Sequence, residues 1–532
     1  MFFYIKRFWK ENSIVFLLML ITGVCQTVAG VLTAYALNAL IEFDYQSFFI
    51  ILLIILGVYF VFLLFMNFEI NKQSQTMQMM STTIRMDMTE RMERASYSGF
   101  HEKQVGTYAS WLSTDINTIE THGFDQFYAV VKGVIATFTA IIGLFVFHWS
   151  IVLWTLLISG LTLLLPKMYQ KKLANVSLKT TEEGEHFLSR ITDVLNGFDT
   201  LFSFNLLKKI TTDTEKASLV LAKAKNKRAS IIAKVAILGA LGNIFGQLSI
   251  LGLTGYLAFL SVVSVGAFSA TGNLASTVFN TVGNLSQQIA SFQSVGPIFD
   301  KFEKIKSRSQ QVNQKIDQVD SGIILKNMSY AYGDKQVLEH INQVFDLGKK
   351  YAIVGASGSG KTTLLNILNG KLTDYTGSII FNGYELNALS GYDLREAILY
   401  LDQQPYLFDG TIRDNITLGE SFTDEEIMLA LEQSSLQEVV AQLPNGIDTS
   451  IGESGRLLSG GQKQRVTLAR GLIRGKQIIL LDEGTSSLDQ KSALEIEESL
   501  MSQKDLTVIM ITHHLREEIK EKLDDVLRLS SQ

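Results

Sequence analysis

The chain has 532 residues, of which 47% are hydrophobic and 19% charged, and its net charge at pH 7 is −5. This length exceeds what one hydrophobic core usually supports, so we expect at least two domains. The acidic balance argues against nucleic acid as a partner, because binding its phosphates requires a basic surface. A single cysteine, Cys25, excludes an intrachain disulfide.

Six apolar runs in the first half are long enough to be membrane-spanning helices. A helix crosses the roughly 30 Å hydrocarbon layer in about 20 residues, and this length sets the threshold. The last two runs are the least sharply separated, because the link between them around Ser264 is itself uncharged. The predicted spans are 13–41, 48–68, 127–147, 151–165, 231–262 and 267–290.

Basic residues indicate the orientation of these spans. Lysine and arginine cluster before the first span, between the second and third, and between the fourth and fifth. The connections on the opposite side contain neither residue type. The positive-inside rule therefore predicts that both termini are cytosolic. The two basic connections are much longer than a turn, so we expect each to be a pair of helical extensions with a short connection at its tip.

The last two spans contain glycines and amide side chains, including Gly239, Asn243, Gln247 and Asn280. Such residues let helices approach closely and hydrogen-bond to each other. They can equally line a polar translocation pathway, and the sequence leaves both interpretations open. After Asp44, which lies in the first connection, no acidic residue occurs within a predicted span. This absence argues against a proton-relay carrier.

A phosphate-binding loop follows a short apolar strand in the second half. The strand, 351–354, runs directly into the pattern G-x-x-x-x-G-K-T, and a helix begins near Thr363. Glycines let backbone amides wrap the phosphates, and the helix N-terminus adds a favourable dipole. Lys361 would contact the β- and γ-phosphates, and the Thr362 hydroxyl would hold Mg²⁺. The predicted nucleotide contacts are Gly355, Ser357, Gly358, Ser359, Gly360, Lys361, Thr362 and Thr363.

A second apolar strand, 478–483, ends in the two carboxylates Asp482 and Glu483. Asp482 is placed to position Mg²⁺, directly or through water. Glu483 would polarise the attacking water as a general base. On its own, the pattern also fits a core strand followed by a solvated acidic pair. The phosphate-binding loop upstream favours the catalytic interpretation.

Between these motifs, residues 458–465 read L-S-G-G-Q-K-Q-R and precede a helical run. Ser459 would cap this helix, and the glycines after it leave the N-terminal amides open to an anion. Alone, the segment is an ordinary capped helix. Its position between the phosphate-binding loop and the acidic strand resembles the signature segment of ATP-binding cassette (ABC) proteins. The resemblance implies ATP contacts from Ser459, Gly460, Gly461 and Gln462.

The order of motifs, following a six-span membrane half, resembles an exporter-type half-transporter of the ABC family over essentially the whole chain. The resemblance implies an all-α transmembrane domain of six long helices and an α/β P-loop NTPase domain. The expected domains are 1–304 and 320–532, joined by a charged linker at 305–319.

Four further residues are assigned by the resemblance alone. Tyr332 corresponds to the aromatic residue that stacks on adenine, and Asp489 lies in the D-loop, near the nucleotide. Gln403 corresponds to the loop glutamine that takes part in catalysis and joins Thr362 and Asp482 around Mg²⁺. His513 corresponds to the catalytic switch histidine. The alternative registers for the tyrosine, glutamine and histidine are Tyr330, Gln404 and His514.

Two segments of the membrane half, 106–115 and 197–205, resemble the cytosolic loops of these exporters. In the family, such loops carry short coupling helices that dock on the ATPase. Without the resemblance, both segments would be interpreted only as amphipathic helices.

The resemblance also implies a function. A dimer would hold ATP between the phosphate-binding loop of one chain and the signature segment of the other. Hydrolysis would then drive the export of a hydrophobic or amphipathic molecule, such as a drug, lipid or peptide. Two alternatives stay open: an importer on the same scaffold, for example of a metal chelate, and an ATP-operated regulatory membrane protein that moves no substrate.

ATP and Mg²⁺ are the implied cofactors. The implied partners are the lipid bilayer and a second half-transporter, which is either another copy or a related chain. We expect an integral protein of a bacterial inner membrane, with the nucleotide-binding domain in the cytosol.

Overall fold

The computed structural model describes residues 1–164, 169–303, 319–389, 391–403, 405–483, 490–512 and 515–530. The chain forms two compact units. The first comprises Met1–Arg94 and Lys103–Ile305, and the second comprises Ala95–Glu102 and Lys306–Gln532. Nearly all of the predicted linker lies outside the described residues, so the limits of the domains stay a prediction.

The described part of the N-terminal half is helical throughout. From Val105 to Phe145 the helix is continuous, with π-helical stretches at Trp111–Asp115 and Ile119–Phe124. The α-helices are α1 Phe2–Arg7, α2 Trp9–Ile41, α3 Tyr45–Glu93, α4 Tyr97–His101, α5 Val105–Ser110, α6 Ile116–Thr118, α7 Asp125–Phe145, α8 Trp149–Leu164, α9 Gln170–Asn196, α10 Phe198–Ser203, α11 Lys208–Phe259, α12 Ala267–Gln293 and α13 Gly296–Glu303.

Four helical stretches of the described residues are long and apolar enough to cross a membrane: Trp9–Ile41, Tyr45–Glu93, Val105–Phe145 and Lys208–Phe259. The most apolar window of Tyr45–Glu93 has none of its residues buried inside the protein, as expected for a surface that faces lipid. The apolar helix at Trp149–Thr162 is shorter, and α12 carries many hydroxyl and amide side chains. The described residues of the six predicted spans lie mostly in helices, and the predicted all-α class is confirmed.

Two of the helices continue far beyond the apolar runs that predict them. Helix α3 extends to Glu93, and α11 begins at Lys208. These are the helical extensions expected of the two basic connections. A short helix, α10, lies within the predicted loop 197–205. In the first connection the short helix is α4, which lies before the predicted segment 106–115. The predicted segment itself belongs to the continuous helix that leads into α7.

Small and amide residues join α11 to α12. A Cβ atom added at Gly239 would lie 3.1 Å from the carbonyl oxygen of Gly283, so the two backbones approach as closely as glycine allows. Asn243 Nδ2 donates to Asn280 Oδ1 at 2.6 Å, and Gln247 Nε2 donates to Asn243 Oδ1 at 2.7 Å. The bond between Asn243 and Asn280 therefore joins the two helices, which is the first of the two interpretations that the sequence left open, whereas Gln247 contacts Asn243 from the same helix.

A buried acid lies one residue beyond the second predicted span. The side chain of Glu69 is 1% exposed and accepts hydrogen bonds from Lys132 Nζ at 2.6 Å and Thr22 Oγ1 at 2.7 Å. Helix α3 continues past Phe68 without interruption, which carries the acid into the helix packing. The ammonium and the hydroxyl compensate for the loss of water around the carboxylate.

The described residues of the second unit form two sheets. One is antiparallel, with strand order β2-β1-β4-β5, and the other is parallel, with order β6-β7-β8-β3-β9. The strands are β1 Ile323–Tyr332, β2 Lys335–Phe345, β3 Lys350–Gly355, β4 Thr376–Phe381, β5 Tyr384–Glu385, β6 Ile398–Leu401, β7 Ile478–Asp482, β8 Thr507–Ile511 and β9 Asp525–Leu529. The helices are α14 Lys361–Leu368, α15 Gly391–Ala397, α16 Ile412–Thr417, α17 Asp424–Gln433, α18 Gln437–Ala441, α19 Gly460–Leu472, α20 Gln490–Ser502 and α21 Glu517–Lys520.

The parallel sheet has a hydrophobic cluster on each face. Along β7, Ile478 and Leu480 pack into one cluster, whereas Ile479 and Leu481 pack into the other. Every residue of β7 and β8 is buried, which explains why both strands are apolar apart from Asp482 at the end of β7 and Thr507 at the start of β8. Because all five strands are parallel, their carboxyl ends meet at one edge of the sheet, where ligands of such folds bind. The predicted α/β class of the second half is confirmed.

Candidate functional site

The phosphate-binding loop connects β3 to α14 at the carboxyl edge of the parallel sheet. Lys361, the first residue of α14, is only 5% exposed. Its Nζ donates to the carbonyl oxygens of Gly355 and Ala356 at 3.0 and 2.9 Å. The ammonium is thereby held inside the curve of the loop, where the phosphates of a nucleotide would lie.

Two glycines give the loop its shape. Gly358 and Gly360 have φ values of +82° and +88°, a region that other residues rarely adopt. At Gly360 a Cβ atom would also lie 2.7 Å from Leu338, whereas nothing lies within 4 Å of one at Gly358. The Ser359 hydroxyl is buried and has no hydrogen-bond partner among the described residues. A buried hydroxyl without a partner in this loop fits a contact to phosphate or to its Mg²⁺ ion.

Asp482 ends β7 and receives two hydrogen bonds. Thr362 Oγ1 donates to its Oδ1 at 3.1 Å, and the Tyr400 hydroxyl donates to its Oδ2 at 2.8 Å. Burial raises the pKa of Asp482, while the two hydrogen bonds oppose that rise. Burial, together with the bond to Asp482, also raises the pKa of Tyr400. Thr362 and Asp482, two of the three residues predicted to hold Mg²⁺, are therefore in direct contact.

Sequence reasoning missed Tyr400. It lies on β6, which pairs in parallel with β7, so its side chain reaches the neighbouring strand end. In the sequence, Tyr400 lies in a short apolar run just before Gln403. That pattern predicts a strand but gives no indication of a contact with Asp482.

Glu483 follows Asp482 at the same edge. Its backbone is left-handed, with φ +49°, which costs a residue with a side chain about 1–2 kcal/mol. Gln403 Nε2 donates to Glu483 Oε2 at 3.3 Å, so the predicted loop glutamine reaches the predicted base. Strained backbone at a reactive residue is common in enzymes, because the surrounding structure fixes the side chain in one position.

The two tyrosine registers differ in exposure. Tyr330 is buried in the core beside the antiparallel sheet, whereas Tyr332 at the end of β1 is 51% exposed. Their rings meet edge to face, with centroids 5.0 Å apart. An exposed ring supported by a buried one has a free face for a planar base, as the prediction for Tyr332 requires.

The signature segment caps α19 as predicted. Ser459 Oγ accepts from the backbone N–H of Gln462 at 3.4 Å, and Gln462 Oε1 accepts from the backbone N–H of Ser459 at 2.9 Å. This capping box leaves Ser459 and Gly460 exposed at the surface of the unit, while Gly461 is buried.

Several predicted residues lie outside the described part of the chain: Asp489, His513, and the alternatives Gln404 and His514. Within the described part, no group of three or more His, Cys, Asp or Glu side chains forms a metal site. The hydroxyl of Thr362 and the carboxylate of Asp482 are instead suited to a Mg²⁺ ion that takes its other oxygen ligands from nucleotide phosphates and water.

Family models match both halves of the chain. Residues 13–282 match the ABC transporter transmembrane region. Residues 338–486, which include the phosphate-binding loop and the signature segment, match the ABC transporter model. The chain belongs to the ABC transporter family. It is thus an integral membrane protein that couples ATP binding and hydrolysis to transport, and both halves of an ABC half-transporter are fused in it.

Similar proteins include bacterial ABC transporters. The ATP-dependent lipid A-core flippase of Syntrophus aciditrophicus (strain SB) is 27% identical over 445 residues, which cover 81% of this chain and 73% of the relative. The protein of the same name from Desulfotalea psychrophila (strain LSv54 / DSM 12343) is 28% identical over 444 residues, with 81% and 77% covered.

A solved structure shares the fold of this ABC transporter. The structure of a bacterial Atm1-family ABC exporter with ATP bound superposes with a TM-score of 0.84 at 21% sequence identity. The likeness covers 98% of this chain and 95% of that one. It confirms the predicted fold class of both halves.

Proposed function

We propose that this ABC transporter exports an amphipathic molecule with a polar headgroup, such as a lipid, across a bacterial inner membrane. The observation that carries the proposal is a polar cavity within a helical unit whose outward surface is apolar. The cavity has a volume of about 350 Å³ and is lined mainly from α2, α7 and α12. Its hydroxyl and amide groups include those of Gln26, Thr27, Asn273, Ser276, Thr277 and Asn280.

A polar cavity and an apolar outer surface suit the two parts of an amphipathic molecule. Hydroxyl and amide groups satisfy a polar headgroup that lipid cannot solvate, and the apolar helix surfaces accommodate acyl chains. Asn280 both lines the cavity and hydrogen-bonds to α11, so one side chain combines the packing role and the pathway role. The two bacterial relatives described above are named for lipid A-core, which is a molecule of this class.

The nucleotide site would supply the energy. Lys361 would bind the phosphates, Thr362, Asp482 and Gln403 would hold Mg²⁺, and Glu483 would orient the attacking water. Bound by these residues, Mg²⁺ would supply positive charge to neutralise the phosphates. Asp489 and His513 keep their predicted roles at the nucleotide and as the switch residue.

A dimer would complete each site. The exposed signature serine, Ser459, would contact ATP held on the phosphate-binding loop of a second half-transporter. ATP would then hold two chains together and favour one arrangement of the spans, and hydrolysis would release it. The basic loops predict that the nucleotide-binding unit is cytosolic, and the proposed direction of transport is away from that side.

Transport by the reconstituted protein tests the proposal. Vesicles of bacterial phospholipid containing a fluorescent lipid, with the nucleotide-binding unit outside, should move labelled lipid to the inner leaflet when ATP and Mg²⁺ are added. The control is Glu483→Gln, which should bind ATP but neither hydrolyse it nor move lipid. Movement in the opposite direction would establish an importer. ATP hydrolysis unaffected by any lipid, with no lipid movement, would contradict transport of this class.

A further inference from the structure

Four side chains of the second unit form a continuous path that starts at Asp482. Tyr400 donates to Asp482, the Lys371 ammonium lies over the Tyr400 ring, and the same ammonium lies over the ring of Tyr97. Tyr97 belongs to Ala95–Glu102, a segment of the second unit whose sequence neighbours on both sides belong to the first. The path thus joins the predicted Mg²⁺ ligand to the short helix α4.

The distances make Lys371 the central link. Its Nζ is 3.8 Å from the centroid of the Tyr400 ring and 5.3 Å from that of Tyr97. Both lie within the range of about 6 Å in which an ammonium is attracted to an aromatic face. Burial lowers the pKa of Lys371, and the negative charges of Asp402 and Asp482 oppose that change. A half-buried cation held by two rings has lost part of its hydration, which strengthens its attraction to them.

Tyr97 and Lys371 are both held by their local structure. Tyr97 is the first residue of α4, which is capped by Ser96, whose Oγ accepts from the backbone N–H of Gly99 at 3.1 Å. The His101 ring stacks on Tyr97 with centroids 4.1 Å apart, so the tyrosine moves together with α4. In the middle of the path, the Lys371 backbone N–H donates to the Asn366 carbonyl of α14 at 2.9 Å.

Helix α14 also carries Thr362, the second hydroxyl bound to Asp482. Lys371 therefore connects to the Mg²⁺ end of the site in two ways. Its backbone follows the helix that holds Thr362, and its side chain contacts the ring that holds Asp482. A displacement of α4 would change the position of the ammonium on the Tyr400 ring and, through it, the hydrogen bond to Asp482.

We propose that Lys371 is a positioning residue that couples the segment Ala95–Glu102 to the metal end of the ATP site. This inference rests on one part of the proposed function, namely that the site binds ATP together with a divalent cation. None of the nucleotide motifs includes Lys371, Tyr400 or Tyr97. The coupling lets the segment between α3 and the next long helix adjust how firmly Asp482 is oriented toward the metal ion.

A double-mutant cycle tests the coupling without requiring turnover or transport. Mn²⁺ replaces Mg²⁺ and is titrated into the full-length protein with a non-hydrolysable ATP analogue, and bound Mn²⁺ is measured by electron paramagnetic resonance. Tyr97→Leu should weaken Mn²⁺ binding about fivefold, since it removes one of the two rings that hold the ammonium. In a Lys371→Met background, the same Tyr97→Leu change should have no further effect.

Two conservative variants serve as controls. Lys371→Arg and Tyr97→Phe retain the cation and the ring, so both should bind Mn²⁺ as the parental protein does. Equal effects of Tyr97→Leu in both backgrounds, or no effect in either, would overturn the coupling. A loss of affinity for the analogue in the absence of metal would show a merely structural role and would also overturn it. Failure of lipid transport with an intact cycle would contradict the proposed function and leave the coupling supported.

Discussion

Replacing Gly360 by alanine should disturb the phosphate-binding loop more than the same change at Gly358. Both glycines have left-handed backbones, and an alanine in that region costs about 1–2 kcal/mol at either position. At Gly360 the new Cβ would also lie 3.0 Å from the carbonyl oxygen of Val337 and 2.7 Å from Leu338. Because a backbone oxygen cannot rotate away, this overpacking adds about 1–3 kcal/mol.

Amide hydrogen exchange measures the difference. Peptides that cover β3 and α14, followed by mass spectrometry without nucleotide, report the free energy of local opening. Gly360→Ala should lower this free energy by about 2–5 kcal/mol, and Gly358→Ala by about 1–2 kcal/mol. Equal exchange rates in the two variants would refute the steric reasoning. Exchange in the helices of the first unit serves as an internal control and should not change in either variant.

Three further substitutions give distinct outcomes. Tyr332→Ala should weaken ATP binding about tenfold, whereas Tyr332→Phe keeps the stacking face and should bind normally in fluorescence titrations. Tyr400→Phe removes a hydrogen bond that lowers the pKa of Asp482, so the pKa rises and the acid limb of ATP hydrolysis should move to higher pH; an unchanged pH–rate profile would contradict this. Glu69→Ala removes the acceptor of Lys132 Nζ, while the Thr22 hydroxyl can still donate to the Met19 carbonyl; the change should cost about 1–3 kcal/mol, seen as a lower unfolding temperature that Lys132→Met partly restores.

The nucleotide motifs could be predicted from sequence because each is local. In the phosphate-binding loop, the strand, the glycines and the helix start are contiguous, so spacing alone determines which atoms face the phosphates. The same holds for the capping box at Ser459, where the side chain and its partner are three residues apart. Contacts between residues so close in sequence depend little on the tertiary structure.

Contacts between distant segments could not be predicted in this way. Tyr400 and Asp482 meet only because β6 pairs with β7, and the strand order of a parallel sheet is not encoded in either strand. The pair of Glu69 and Lys132 depends on the register of two long helices whose predicted spans are almost uniformly apolar. Such runs predict a span, but they do not specify which face meets which neighbour.

The short helix of the first basic connection shows a third limit. Resemblance to the family placed this loop at 106–115, whereas the short helix is Tyr97–His101. The local cause is the cap provided by Ser96, which starts a helix between two much longer ones. Five-residue helices lack the periodicity that identifies longer ones, so the pattern favoured the longer amphipathic segment instead.

Complementation between two inactive variants tests the central claim most directly, namely that each ATP site combines the phosphate-binding loop of one chain with the signature segment of another. Lys361→Ala and Ser459→Arg are each expected to abolish ATP hydrolysis as pure preparations. When the two are co-reconstituted as copies of this chain, mixed dimers contain one intact site. Random pairing should then restore about a quarter of the parental sites. Recovery of ATP hydrolysis to that order is the predicted result, and a mixture as inactive as its two components would contradict the shared site.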